Sequence, residues 1–198
     1  MQRGKFCIIS GFTGAGKSTL IQHLRLHRPD LLFLRSITTR APRPEELTHP
    51  ELCSYDFVTE EQFRELITTG QLLEHALVHN AHYYGTRKQP IFDAIAAGQL
   101  IYKEMDVAGY EIVEQLLPAK DFFGITLQYD PTEEEIRQRL TNGDRAMEEA
   151  DVQRRMASIA KEQEVTRRYQ YHVESVWHQM PAVITAVEGI IAQEMHEQ

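Results

Sequence analysis

The chain has 198 residues, 25% of them charged, and a formal net charge of −8. That length suits one domain with small insertions and a substantial buried core. The acidic balance, with no basic block, excludes a nucleic-acid surface, and no run approaches the about 20 apolar residues of a membrane span. Two cysteines, Cys7 and Cys53, have neither metal-ligand spacing nor a disulfide framework, and the N-terminus has no signal layout, so a reduced, cytoplasmic setting is expected.

The first predicted element is a short buried strand, Phe6-Cys7-Ile8-Ile9. Directly behind it, Gly11-Phe12-Thr13-Gly14-Ala15-Gly16-Lys17-Ser18-Thr19 fits the phosphate-binding pattern G-x-x-x-x-G-K-[S/T]. A helix from Thr19 follows, so the glycines occupy a strand-to-helix turn. Without Cβ atoms they let backbone N–H groups close around phosphates, and the helix N-terminus adds positive partial charge. Lys17 is expected to reach the β- and γ-phosphates. The Ser18 hydroxyl suits Mg²⁺, which takes hard oxygen ligands.

Leu31 to Leu34 is a second apolar run, leading into Ser36-Ile37-Thr38-Thr39-Arg40. The segment 41–54, with Pro42, Pro44 and Pro50 among acidic residues, reads as a loop. A helix is expected over 60–69 with Gly70 at its C-terminus, then a strand over 72–78. Beyond a short helix at 91–97, the strand 100–105 delivers Glu104 and Asp106 to one face at its end, since side chains alternate with period two. Further predicted elements are a helix over 107–117, a strand over 124–129, helices at 131–140 and 149–169, a weak strand near 171–173 and a terminal helix from about 182 to 194. Strands alternating with helices imply a parallel sheet covered on both faces.

Behind the phosphate loop stand Thr38-Thr39-Arg40-Ala41-Pro42-Arg43-Pro44, Tyr55-Asp56-Phe57-Val58, Glu74 and Tyr83-Tyr84-Gly85-Thr86. In order and spacing they resemble guanylate kinase, over roughly residues 5 to 175. The resemblance implies an α/β P-loop NTPase fold: a three-layer parallel sheet core at about 1–35 and 87–198, a small GMP-binding insertion at about 36–86 and a helical lid at about 138–155. It implies ATP and GMP as substrates, with dGMP as a further acceptor, and Mg²⁺ as cofactor.

Under that resemblance Gly11, Thr13, Gly14, Ala15, Gly16, Lys17, Ser18 and Thr19 hold ATP, and Arg139 lies beside the adenine. Arg40, Arg43, Tyr55 and Tyr84 fall to the GMP phosphate, for which forked guanidinium groups and hydroxyls are chemically suited. Glu74 accepts from guanine N1–H and the exocyclic amine, with Ser36 and Thr86 on the remaining base edge and Thr86 donating to O6. Glu104 and Asp106 flank acceptor and metal, Asp106 with Ser18 serving Mg²⁺. Lys17, Arg40, Arg43, Arg145 and Arg155 are the candidate catalytic cations.

Phe12-Thr13 stands where the family usually has proline-serine, and 45–54 is a longer Pro-bearing segment than the family's turn. Two rivals have different chemistry: a P-loop kinase acting on a phosphorylated ribose, where Glu74 and Thr86 have no use, and a non-catalytic guanylate-kinase-like interaction domain, where Lys17, Ser18 and Asp106 have none. A switch GTPase is disfavoured by the lack of an Asn-Lys-x-Asp motif.

Overall fold

The computed structural model describes residues 4–12, 15–78, 81–128, 134, 152–153, 164–175 and 179–196. The core elements are β1 (Lys5–Gly11), α1 (Lys17–His27) and β2 (Leu32–Phe33). An inserted stretch follows with β3 (Ser36–Thr38), α2 (Pro44–Thr48), β4 (Tyr55–Phe57), α3 (Glu60–Thr68), β5 (Leu72–Val78) and β6 (His82–Arg87). The core then resumes with α4 (Gln89–Ala96), β7 (Leu100–Glu104), α5 (Val107–Leu116), β8 (Phe122–Gln128), β9 (Tyr171–Glu174) and α6 (Met180–His196).

The core sheet has the order β2-β7-β1-β8-β9, and its neighbours pair in parallel. Parallel pairing requires crossovers, which place helices on both faces. The alternation along β1 divides the two cores. Cys7 and Ile9 pack with Leu20 and Leu24 of α1 and Val183, Val187 and Ile191 of α6. Phe6 and Ile8 pack on the other face with Ile91 and Ile95 of α4 and Tyr110 and Val113 of α5. Each fully buried side chain of this size contributes about 1.5–3 kcal/mol by leaving water.

The second sheet, β4-β3-β6-β5, is built on a small cluster of Ile37, Phe63 and Leu72. Its strands pair antiparallel except β3 with β4. Tyr83 stacks on Phe63 with ring centroids 5.2 Å apart, so it serves packing. Thr59 caps α3 through its hydroxyl, which accepts from the Gln62 amide.

Two expectations require correction. The 41–54 segment is not all loop, since α2 occupies Pro44–Thr48: Pro44 stands at its first turn, where a missing N–H is harmless. The strand ending near Asp106 stops at Glu104. Asp106 instead caps α5, its Oδ1 accepting from the Gly109 amide at 2.8 Å. Nearly all of the predicted helix at 131–140, most of that at 149–169 and nearly all of the expected lid lie outside the described residues.

Candidate functional site

The phosphate loop leaves the C-terminal edge of β1 at the sheet centre, where ligands of doubly wound folds bind. Gly11 and Gly16 both have positive φ, 145° and 81°, backbone that L side chains rarely adopt. Lys17 lies over the loop: its Nζ donates to the carbonyls of Gly11 at 2.6 Å and Phe12 at 3.0 Å, and stands 3.8 Å from Glu104 Oε1. Ala15 is buried, and its carbonyl accepts from the buried Ser175 hydroxyl at 2.9 Å. A Cβ on Gly16 would sit 2.5 Å from Met180 Sδ. The start of α6 and the residue after β9 therefore brace the loop. Ser18 and Thr19 are exposed on the first turn of α1. Thr13 and Gly14 lie outside the described residues, as do Arg139, Arg145 and Arg155.

A cleft of about 510 Å³ joins the two sheets, a size suited to a small-molecule ligand. Gly11, Phe12 and Lys17 line it from the core, and Ser36, Tyr55 and Glu74 from the insertion. Lys103, Glu104 and Asp106 lie between them. Glu74 owes its position to a bulge. The register of β5 against β6 shifts between Leu72 and Glu74, so Glu74 stands directly opposite Thr86. The Thr86 hydroxyl, fully buried, donates to Glu74 Oε1 at 2.5 Å. A donor role for Thr86 toward a base carbonyl therefore does not hold in this structure, because its one proton is committed to a carboxylate.

Arg40 forms a forked pair with Glu46 of α2, Nη2 to Oε1 at 2.7 Å and Nη1 to Oε2 at 3.0 Å. Both side chains are only 14% exposed. Hydrogen bonds to Glu46, and secondarily to Tyr84, raise the Arg40 pKa against the opposing effect of burial. The guanidinium lies 5.2 Å from the centroid of Tyr55, whose ring meets that of Tyr84 edge-on at 5.8 Å. Arg40, Tyr55 and Tyr84 are thus one cluster. Arg43 is exposed at the start of α2, its amide donating to Glu46 Oε2 at 2.7 Å.

Two cations went unnoticed in the sequence. Lys103, on β7, is 5% exposed, donates to Ser36 Oγ and lines the cleft. Burial pushes its pKa down to about 8, against the charges of Glu74, Glu104 and Asp56. Its one sequence signal is a single cation inside the largely apolar run Leu100–Met105, next to Glu104. Arg25 of α1 donates to the carbonyls of Glu51, Leu52 and Cys53 and so ties the phosphate-loop helix to the segment preceding Tyr55.

Among the described residues, no helix is long and apolar enough to cross a membrane. The sequence profile of the family described as guanylate kinase matches residues 3–194. A guanylate kinase of Thermosynechococcus vestitus is 35% identical over 191 residues, covering 96% of this chain and 94% of that protein. One from Helicobacter pylori is 37% identical over 165 residues, 83% of this chain and 76% of its own length. The crystal structure of guanylate kinase from Anaplasma phagocytophilum superposes with a TM-score of 0.69 over 100% of this chain and 89% of that one, at 20% identity, a likeness of fold. With a cleft bounded by a lysine-bearing phosphate loop and by Glu74 across from it, and with relatives matched over nearly its full length, the chain belongs to the guanylate kinase family.

Proposed function

We propose that the chain transfers the γ-phosphoryl group of ATP to a phosphate oxygen of GMP or dGMP, giving ADP and GDP or dGDP. The observation that carries this reading is one cleft lined both by Lys17 and by Glu74 with Ser36. Glu74 accepts from the two adjacent donors of guanine, N1–H and the exocyclic amine, whereas adenine N1 is itself an acceptor. The Arg40, Tyr55 and Tyr84 cluster, with Arg43, takes the acceptor phosphate.

Phosphoryl transfer asks the protein mainly to align attacking and leaving oxygens and to neutralise charge. Lys17 follows the transferred group between the two halves of the cleft, in line. Arg145 and Arg155 for the transferred group, and Arg139 for the adenine, are assigned from the family resemblance alone, since all three lie outside the described residues. The exposed oxygens of Ser18 and Asp106, on neighbouring elements at the strand ends, are hard donors of the kind Mg²⁺ takes, and these two residues would hold it. When bound, Mg²⁺ offsets phosphate charge. Two buried free cysteines suit a reducing cytoplasm.

A coupled assay of ADP release against a panel of nucleoside monophosphates tests this. Turnover is expected with GMP and dGMP; its absence at millimolar concentration, with nucleotide still bound, would refute it. Glu74→Gln is expected to weaken GMP at least tenfold while ATP affinity stays within about twofold. Equal loss of both would remove Glu74 from the base site. Lys17→Ala should lower kcat by orders of magnitude with little change in melting temperature.

A further inference from the structure

We infer that Lys103 fixes the hydrogen-bond polarity of Ser36, making that hydroxyl an obligate donor to the six-position carbonyl of the acceptor base, and is thus a positioning residue for base specificity. The inference rests on the proposal that GMP is the acceptor.

A serine hydroxyl rotates freely, and one that either donates or accepts tolerates a carbonyl and an amino group alike. An ammonium has three donors and no acceptor. In the Lys103–Ser36 hydrogen bond the serine oxygen therefore accepts, and its own proton must point elsewhere. Ser36 lines the cleft opposite the core, so the cleft is where a partner is available. Lys103, at 5% exposure, has little freedom to release it.

Thr86 has the reverse polarity. Its proton goes to Glu74, which only accepts, and lone pairs are all it has left to offer. Of the two hydroxyls, Ser36 alone can meet a base carbonyl. An amino group at that position would set donor against donor, a mismatch that leaves a buried polar pair unmade.

The carboxylates facing Lys103 are Glu74 from β5, Glu104 from β7 and Asp56 from β4, all of which favour the ammonium form. Glu104 also faces Lys17, at 3.8 Å, and Asp56 faces Arg35, at 3.5 Å. Lys103 stays cationic at neutral pH, as the polarity argument requires.

The test compares affinities for GMP and for 6-thioguanosine monophosphate, which keeps N1–H and the amine but replaces the carbonyl oxygen by sulfur, a weak acceptor. Wild type is expected to prefer GMP. Lys103→Met should lose about tenfold in GMP affinity with the thio analogue within about twofold, and Lys103→Arg should retain the preference. Adding Lys103→Met to Ser36→Ala should change nothing further, since both remove one interaction. Equal loss for both nucleotides, or additive losses in the double variant, would overturn the inference. Ser36→Ala alone must abolish the preference, a check independent of the Lys103 variants. The two readings fail separately: normal GMP binding by Glu74→Gln refutes the acceptor assignment, whereas weakened binding by Glu74→Gln beside normal binding by Lys103→Met refutes only the role of Lys103.

Discussion

Glu46 holds the guanidinium that the acceptor phosphate would use. A carboxylate bound through two short hydrogen bonds to Arg40 presents the same forked oxygen geometry as a phosphate. On the proposed assignment of Arg40 to the acceptor phosphate the two compete, and Glu46→Gln is expected to lower KM for GMP a few-fold; an increase would show that Glu46 orients Arg40 instead. Lys103 makes a second prediction, on stability. Its pKa falls from 10.5 to about 8 on folding, chiefly through burial. Below about pH 8 both native and unfolded chains hold the proton, and the full penalty of a buried charge applies. Between about 8 and 10.5 the unfolded chain keeps a proton that the native state has released, so stability rises with pH there. Lys103→Met should therefore stabilise the protein by up to roughly 3 kcal/mol at pH 7, with the gain shrinking towards pH 10.5. Denaturant melts of both proteins at pH 7 and pH 9.5 check the sign, and a gain independent of pH would exclude desolvation as its cause.

At the scale of elements, Arg25 is the joint between α1 and the segment that delivers Tyr55. Its guanidinium lies 4.3 Å from the Phe33 ring centroid and serves three successive backbone carbonyls. Arg25→Met leaves those carbonyls without that donor, which is expected to cost about 1–3 kcal/mol and to raise KM for GMP more than KM for ATP. Denaturant melts and initial rates measured on the same preparation separate the two effects. None of this was visible in the residue order, because a helix arginine near a later loop is a contact of tertiary origin. The bulge at Leu73 was hidden for a related reason. Period-two alternation puts Glu74 on a face but says nothing of the partner strand, and only the register shows that Glu74 meets Thr86. The short helix α2 was hidden too, since five residues are too few to show a helical period.

For the whole molecule, the alternation of apolar strands and amphipathic helices was enough to read a parallel sheet covered on both faces, and that is the core observed. The inserted sheet was less legible. Its strands β3 and β4 have three residues each, too short for a pattern, and their pairing depends on chain segments far apart in sequence. Ser36, Tyr55 and Glu74 of the expected acceptor half line one cleft with Lys17, while Lys103 escaped notice because a lysine in a strand normally marks its exposed face.

The bracing of the phosphate loop by Ser175 and Met180 bears on how the protein is made. The loop is synthesised well before the groups that pack against Ala15 and Gly16, which come about 160 residues later in the chain. β1 also lies between β7 and β8, so neither of its neighbours exists when it leaves the ribosome. At synthesis rates of about 5–20 residues per second, the nascent loop waits roughly ten to thirty seconds for its supports. Nucleotide binding by the growing chain should accordingly be absent from stalled chains that present residues 1–170 and appear only once α6 has emerged.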